Sequence, residues 1–187
     1  MIAMRHTGIY VNDILQLETF YKTVFDMVTI CSNAPDKNSL LDELLGVVCA
    51  EIVTTKLITP YGKQHGQGDM LELVKVTSKL DKIPQLPLDY PIFMIGMGHL
   101  AFGIDDIYKT VEAIKGEKGV QKTKIHRMNN NNLCCFCRDP EGNWIELIQR
   151  CGEENGDMVK LDGKIAIVTG GTSGIGGYIS SPMKEQK

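Results

Sequence analysis

His6, Glu72, His99 and Glu146 are the residues of this 187-residue chain whose types and settings could do chemistry. Two imidazoles and two carboxylates suit a borderline divalent transition metal such as nickel, zinc, cobalt or manganese, with water or substrate completing the shell. The charges of two carboxylates and one dication cancel, so a partly buried set of this kind is stable only with the metal present. Gly8 and Ala101, two positions after each His, leave room for a ligand. Taken singly, each of the four reads as an ordinary polar residue on a mixed strand. What sets them apart is that they come in two matched pairs.

The elements that must position them occur twice. His6-Thr7-Gly8-Ile9 leads to Asp13-Ile14, and His99-Leu100-Ala101-Phe102 leads to Asp106-Ile107. Each opening reads as a strand followed by an amphipathic helix, near Asp13–Phe25 and Asp106–Lys115, with the Asp as N-cap. Leu71-Glu72-Leu73-Val74 closes the first half and Ile145-Glu146-Leu147-Ile148 the second. Alternation along a strand turns the apolar neighbours of each Glu to one face and the carboxylate to the other. If the strands form a curved sheet with helices outside, both His and both Glu can point into the concave side.

The His-to-His spacing is 93 residues and the Glu-to-Glu spacing 74, so the first half is about 19 residues longer. The Leu-rich helical stretch Pro35–Gly46 and the loop Thr59–Gly68 account for the excess. Strands fill the remainder at Met27–Asn33, Val47–Ile58 and Met70–Val76, then Lys122–Met128, Leu133–Arg138 and Trp144–Arg150. Residues 1–78 and 92–150 are the two modules of one domain, 1–150. The linker Thr77–Pro91 holds three of the seven Pro.

Composition bounds the partners. Hydrophobic residues make up 43% and charged ones 23%, which excludes a disordered chain. A net charge of −3 removes the basic footprint of a nucleic-acid binder. No apolar run is long enough to span a membrane and the start lacks a signal-peptide h-region. The six Cys then read as reduced thiols of a cytoplasmic protein.

Three strings, HTGIYVNDILQLETFYKTVFDM, GMGHLAFGIDDI and CFCRDPEGNWIELIQ, resemble the vicinal oxygen chelate superfamily, which includes glyoxalase I, methylmalonyl-CoA epimerase, extradiol dioxygenases and fosfomycin or bleomycin resistance proteins. The resemblance covers residues 4–150. It implies an α+β fold of tandem βαβββ modules forming a curved mixed sheet cup, often as a homodimer. His6, Glu72, His99 and Glu146 fit its glyoxalase-type metal set most closely. The implied activity is that of a metal-dependent lyase or isomerase acting on a small-molecule carbonyl or thioester. The metal polarises the substrate oxygens and stabilises an enediolate. Glu146 is the first choice of base, with Glu72 as its partner. An acyl-CoA epimerase-like enzyme, a resistance-type binding protein and an extradiol dioxygenase are the alternatives. Glyoxalase I carries an Arg four residues after its first His and an Asn four after its first Glu, both of which help hold glutathione. Tyr10 and Val76 stand there in this chain, which favours another carbonyl or thioester substrate.

Other signals take plainer readings. Cys134-Cys135-Phe136-Cys137 lies in a strand, where Cys behaves as a small apolar residue. His65 and His126 read as solvated, Asn129–Asn132 as a hairpin loop and Trp144 as packing. From Met158 the sequence resembles the start of a short-chain dehydrogenase, with the Gly-rich turn Thr169–Gly176 after a strand. Residues 151–187 therefore read as a truncated Rossmann-type fragment or tail with negligible NAD binding.

Overall fold

The structure is a computed structural model that describes residues 5–66, 68–80, 85–96 and 98–151. The chain divides into two units, Met1–Gly152 and Glu153–Lys187, and the first holds both halves of the duplicated part. The Gly-rich stretch of 151–187 lies outside the described residues.

The first half runs β1 (Thr7–Tyr10), α1 (Ile14–Phe25), β2 (Val28–Asp36), α2 (Ser39–Leu45), β3 (Ile52–Ile58), α3 (Pro60–His65) and β4 (Met70–Val76). The second runs β5 (Leu100–Ile104), α4 (Ile107–Gly116), β6 (Val120–Gln121), β7 (His126–Arg127), β8 (Leu133–Arg138) and β9 (Trp144–Gln149). Each half folds its own mixed sheet, in the orders β1-β4-β3-β2 and β5-β9-β8-β6, with β7 also paired to β8. In both, the first strand lies parallel to the last and the remaining pairs are antiparallel. This is the α+β vicinal oxygen chelate fold. No helix among the described residues is long and apolar enough to cross a membrane.

Local chemistry explains the element ends. The Asp13 carboxylate accepts from the Gln16 amide, and Asp106 accepts from the Tyr108 and Lys109 amides, which satisfies orphan donors at the two helix starts. The inserted α2 is capped by Asn38 and ends on Gly46 at φ +68°, a left-handed turn that costs glycine little.

Three expectations need correction. Thr59–Gly68 is not all loop: Thr59 caps Pro60 at the first helical position, and α3 forms. The strand expected from Val47 begins only at Ile52, because the Asp42 carboxylate takes the Ala50 amide and Cys49 turns at φ +60°. Of the strand expected over Lys122–Met128 only β7, His126–Arg127, forms, with β6 lying just before that range at Val120–Gln121. Between them the Lys122 and Thr123 amides both donate to the Phe136 carbonyl, which breaks the ladder.

One hydrophobic core joins the halves. Leu17, Phe20 and Tyr21 of α1 meet Ile107, Val111 and Ile114 of α4 in the same cluster as Leu71, Leu73, Ile145 and Leu147. Phe25 of the first half stacks on Phe102 of the second, ring centroids 4.0 Å apart. A polar clamp reinforces the join. The Glu141 carboxylate, on the turn before β9, accepts the backbone amides of Asn12 and Asp13 at the start of α1. The buried Tyr21 hydroxyl donates to Asp139 at 2.9 Å. Burial, then the Asp139 charge and hydrogen bond, push the Tyr21 phenol well above its usual range. Burial also raises Asp139, against the hydrogen bonds from Asn143, Tyr21 and Glu141 that lower it.

Candidate metal centre

Strand register builds two half-sites. In the first sheet Gly8 and Lys56 are the cross-strand partners of Glu72, on either side of it. Leu71 and Leu73 turn into the core and leave the Glu72 carboxylate on the opposite, concave face. His6, two residues before Gly8, shares that face, and its Nε2 lies 3.2 Å from Glu72 Oε2. A Cβ added at Gly8 would sit 3.9 Å from the same oxygen, in ordinary contact with the carboxylate.

The second sheet repeats the arrangement. Ala101 and Phe136 flank Glu146. His99 Nε2 lies 3.0 Å from Glu146 Oε2. Phe136 meets the His99 ring edge-to-face, with centroids 5.5 Å apart. Both Glu side chains are largely sheltered, at 16% and 22% exposure, while both His rings stay open to solvent.

The other carboxylate oxygens have unlike partners. Lys56 Nζ is 3.2 Å from Glu72 Oε1. Cys134 donates its thiol proton to Glu146 Oε1 at 3.4 Å. Burial, then the Glu146 hydrogen bond, push the Cys134 thiol up to about 11, so it is a neutral donor at physiological pH.

Donors about 2.1 Å from a metal and at right angles stand about 3.0 Å apart, so each His–Glu pair has the spacing of two neighbouring ligands. The donor chemistry fits a divalent transition metal. The four do not, however, meet in one place: among the described residues no three His, Cys, Asp or Glu side chains gather closely enough to hold an ion. His6 and His99 both line a cleft of about 1140 Å³ between the halves. Glu146 lines a separate hollow of about 650 Å³ with His126, Arg127 and Cys134.

The model of the Glyoxalase/Bleomycin resistance protein/Dioxygenase superfamily matches residues 3–147. The chain belongs to that superfamily. Its fold matches that of a glyoxalase family protein from Bacillus cereus, TM-score 0.70 at 16% identity, over 81% of this chain and 96% of that one. A glyoxalase I variant from Zea mays aligns with TM-score 0.54 at 24% identity, over 80% of this chain and 45% of that one. A probable lactoylglutathione lyase of Vibrio parahaemolyticus is 43% identical over 53 residues, 28% of this chain and 38% of its own. One from Synechocystis is 34% identical over 61 residues, 32% of this chain and 47% of its own. The matched stretches thus span less than half the length of these two lyases.

Sequence reasoning missed Lys56 and gave Cys134 too little. Alternation places Lys56 opposite the core-facing Thr55 and Leu57, but its register against Glu72 depends on the fold of α3, which reads poorly from sequence. Within the Cys run, Cys135 and Cys137 are the buried apolar residues expected. Cys134, on the other face, is the one that meets Glu146. His126 is exposed and pairs across from Cys134. His65 stacks on Tyr61, ring centroids 4.0 Å apart, and contacts the Tyr61 carbonyl through Nδ1. Trp144 is a packing residue, with the Arg138 guanidinium 4.2 Å over its ring.

Proposed function

We propose that this superfamily member is a metal-dependent lyase or isomerase of glyoxalase type, working in the cytoplasm as a homodimer on a small carbonyl or thioester substrate. The observation that carries the reading is the pair of matched His–Glu contacts, 3.2 and 3.0 Å, at equivalent positions on two concave sheet faces. Each supplies two ligands, and a catalytic site of this kind needs three or four. The halves complete one another when the first sheet of one copy faces the second sheet of another, an isologous arrangement that builds two sites per dimer.

In such a site His6, Glu72, His99 and Glu146 would hold nickel, zinc, cobalt or manganese. The bound dication supplies Lewis-acid polarisation of a substrate carbonyl. The protein's own part is proton transfer. Glu146 takes the proton from the carbon next to the carbonyl and returns it to a neighbouring carbon or to the opposite face. Its partners on the free oxygen side are a neutral thiol and the apolar Phe136, whereas Glu72 is already tied to an ammonium. Glu146 is therefore the freer of the two to carry a proton. Tyr10, 61% exposed at the end of β1, and Val76 at the end of β4 stand where glutathione-holding residues are expected, which favours a substrate other than the glutathione adduct.

Two measurements on the purified full chain test this. Elemental analysis should find about one dication per chain, and the loaded protein should catalyse solvent-deuterium incorporation into one or more α-hydroxycarbonyl compounds or acyl-CoA thioesters. A metal-free protein that exchanges none of them would leave the concave faces as a binding site without catalysis.

A further inference from the structure

Lys56 places a cation beside the carboxylate of one half-site, and among the described residues it has no counterpart in the other. Its Nζ sits 3.2 Å from Glu72 Oε1 while His6 holds Oε2, so both oxygens of that carboxylate are engaged. At the equivalent cross-strand position of the second sheet stands Phe136, and among the described residues Glu146 Oε1 receives only the Cys134 thiol. With the side chain of Glu72 only 16% exposed, an unpaired carboxylate there would be costly, and the ammonium offsets that cost in the metal-free chain. A dication arriving at Glu72 meets a carboxylate whose charge is already balanced. It also meets a like charge at close range in a partly desolvated setting, where repulsion is far stronger than in water.

We propose that Lys56 is a displaceable counter-ion that stabilises the metal-free first half-site and weakens its hold on the metal. The proposal rests on the metal-dependent reading above. Lys56 lies on a strand with its side chain 39% exposed, so it has room to leave Glu72. Removing its charge should therefore tighten metal binding, although a positive side chain beside a carboxylate is normally stabilising.

The test is metal affinity of the metal-stripped full chain, read by competition between zinc or nickel and a coloured chelator, for wild type, Lys56→Met and Lys56→Arg. Lys56→Met should bind at least fivefold more tightly than wild type, and Lys56→Arg, which keeps the charge, should stay within twofold of it. The metal-free Lys56→Met protein should also melt at a lower temperature than wild type, with a larger rise on adding metal. A Lys56→Met affinity less than fivefold tighter than wild type, or weaker, overturns the counter-ion role and leaves the metal reading standing. If none of the three proteins binds either metal, both fall together.

Discussion

The two halves share a backbone plan and differ in charge. In each, the first strand runs parallel to the Glu strand, a His stands two residues before a small residue, and a carboxylate faces away from two core leucines or their equivalents. The first half spends its extra length on α2, whose Leu41 packs with Ala50, Ile52 and Val74 in a separate small cluster. Ile52 and Val74 share the face of Glu72, so the insertion covers part of the concave side. There the carboxylate faces Lys56; in the second half it faces Cys134 and Phe136. Duplication preserved the geometry that presents two donors and let their electrostatic surroundings diverge. The sharpest way to break this comparison is to ask whether the two half-sites are parts of one centre.

If they are, Glu72→Gln and Glu146→Gln should each remove nearly all solvent-deuterium exchange. A loss of about 10²–10⁴-fold is expected for the proton carrier Glu146. Co-refolding the two variant chains should then recover roughly a quarter of wild-type activity, because half of the dimers are mixed and each of these restores one of its two sites. No recovery would mean that each site is built within a single chain. Full retention of exchange by Glu146→Gln would remove it as base.

A second comparison concerns the core. Leu73 and Leu147 each follow a site Glu and each is fully buried in the shared cluster. Either Leu→Ala change should cost about 2–5 kcal/mol. If the core is truly common to both halves, each variant lowers a single cooperative melting transition of the Met1–Gly152 unit by similar amounts, read by circular dichroism. Two separate transitions, with only the altered half moving, would show that the halves melt apart.

Much of this was legible in the sequence, and the limits are physical. The N-caps Asp13 and Asp106, the C-terminal Gly46 of the inserted helix and both Glu strands follow local rules, since capping and alternation act within a few residues. Lys56 was not legible, because its meeting with Glu72 is a matter of register between strands separated by α3. Nor was the clamp. Asp139-Pro140-Glu141-Gly142 is a turn, but Glu141 also holds the backbone amides that lead into a helix more than a hundred residues earlier. The four donors were expected around one ion, and the chain presents them two by two. Alternation fixes which face a side chain takes and carries no information on how two sheets are placed.

The smallest expected effect probes the polar join between halves. Tyr21→Phe removes the hydroxyl that donates to Asp139 and leaves the aromatic packing against Phe20, Phe25 and Phe102 in place. Near neutral pH the cost should be about 1–2 kcal/mol, because a buried carboxylate loses one donor and keeps those from Asn143 and Glu141. The high-pH behaviour reports whether the hydroxyl is buried against Asp139, since burial and then the Asp139 charge and hydrogen bond raise the phenol. The folded phenol is held well above the ordinary value of 10.0, so its protonated form contributes fully below pH 10. That contribution drains away as the pH climbs from 10 towards the folded value, since only the unfolded chain releases the proton there. Wild type should therefore lose stability more steeply than Tyr21→Phe above pH 10, and the gap between their denaturant midpoints should narrow. Parallel curves through that window would show that the Tyr21 hydroxyl is solvated in the folded protein and that the halves are held by the apolar core and Glu141 alone.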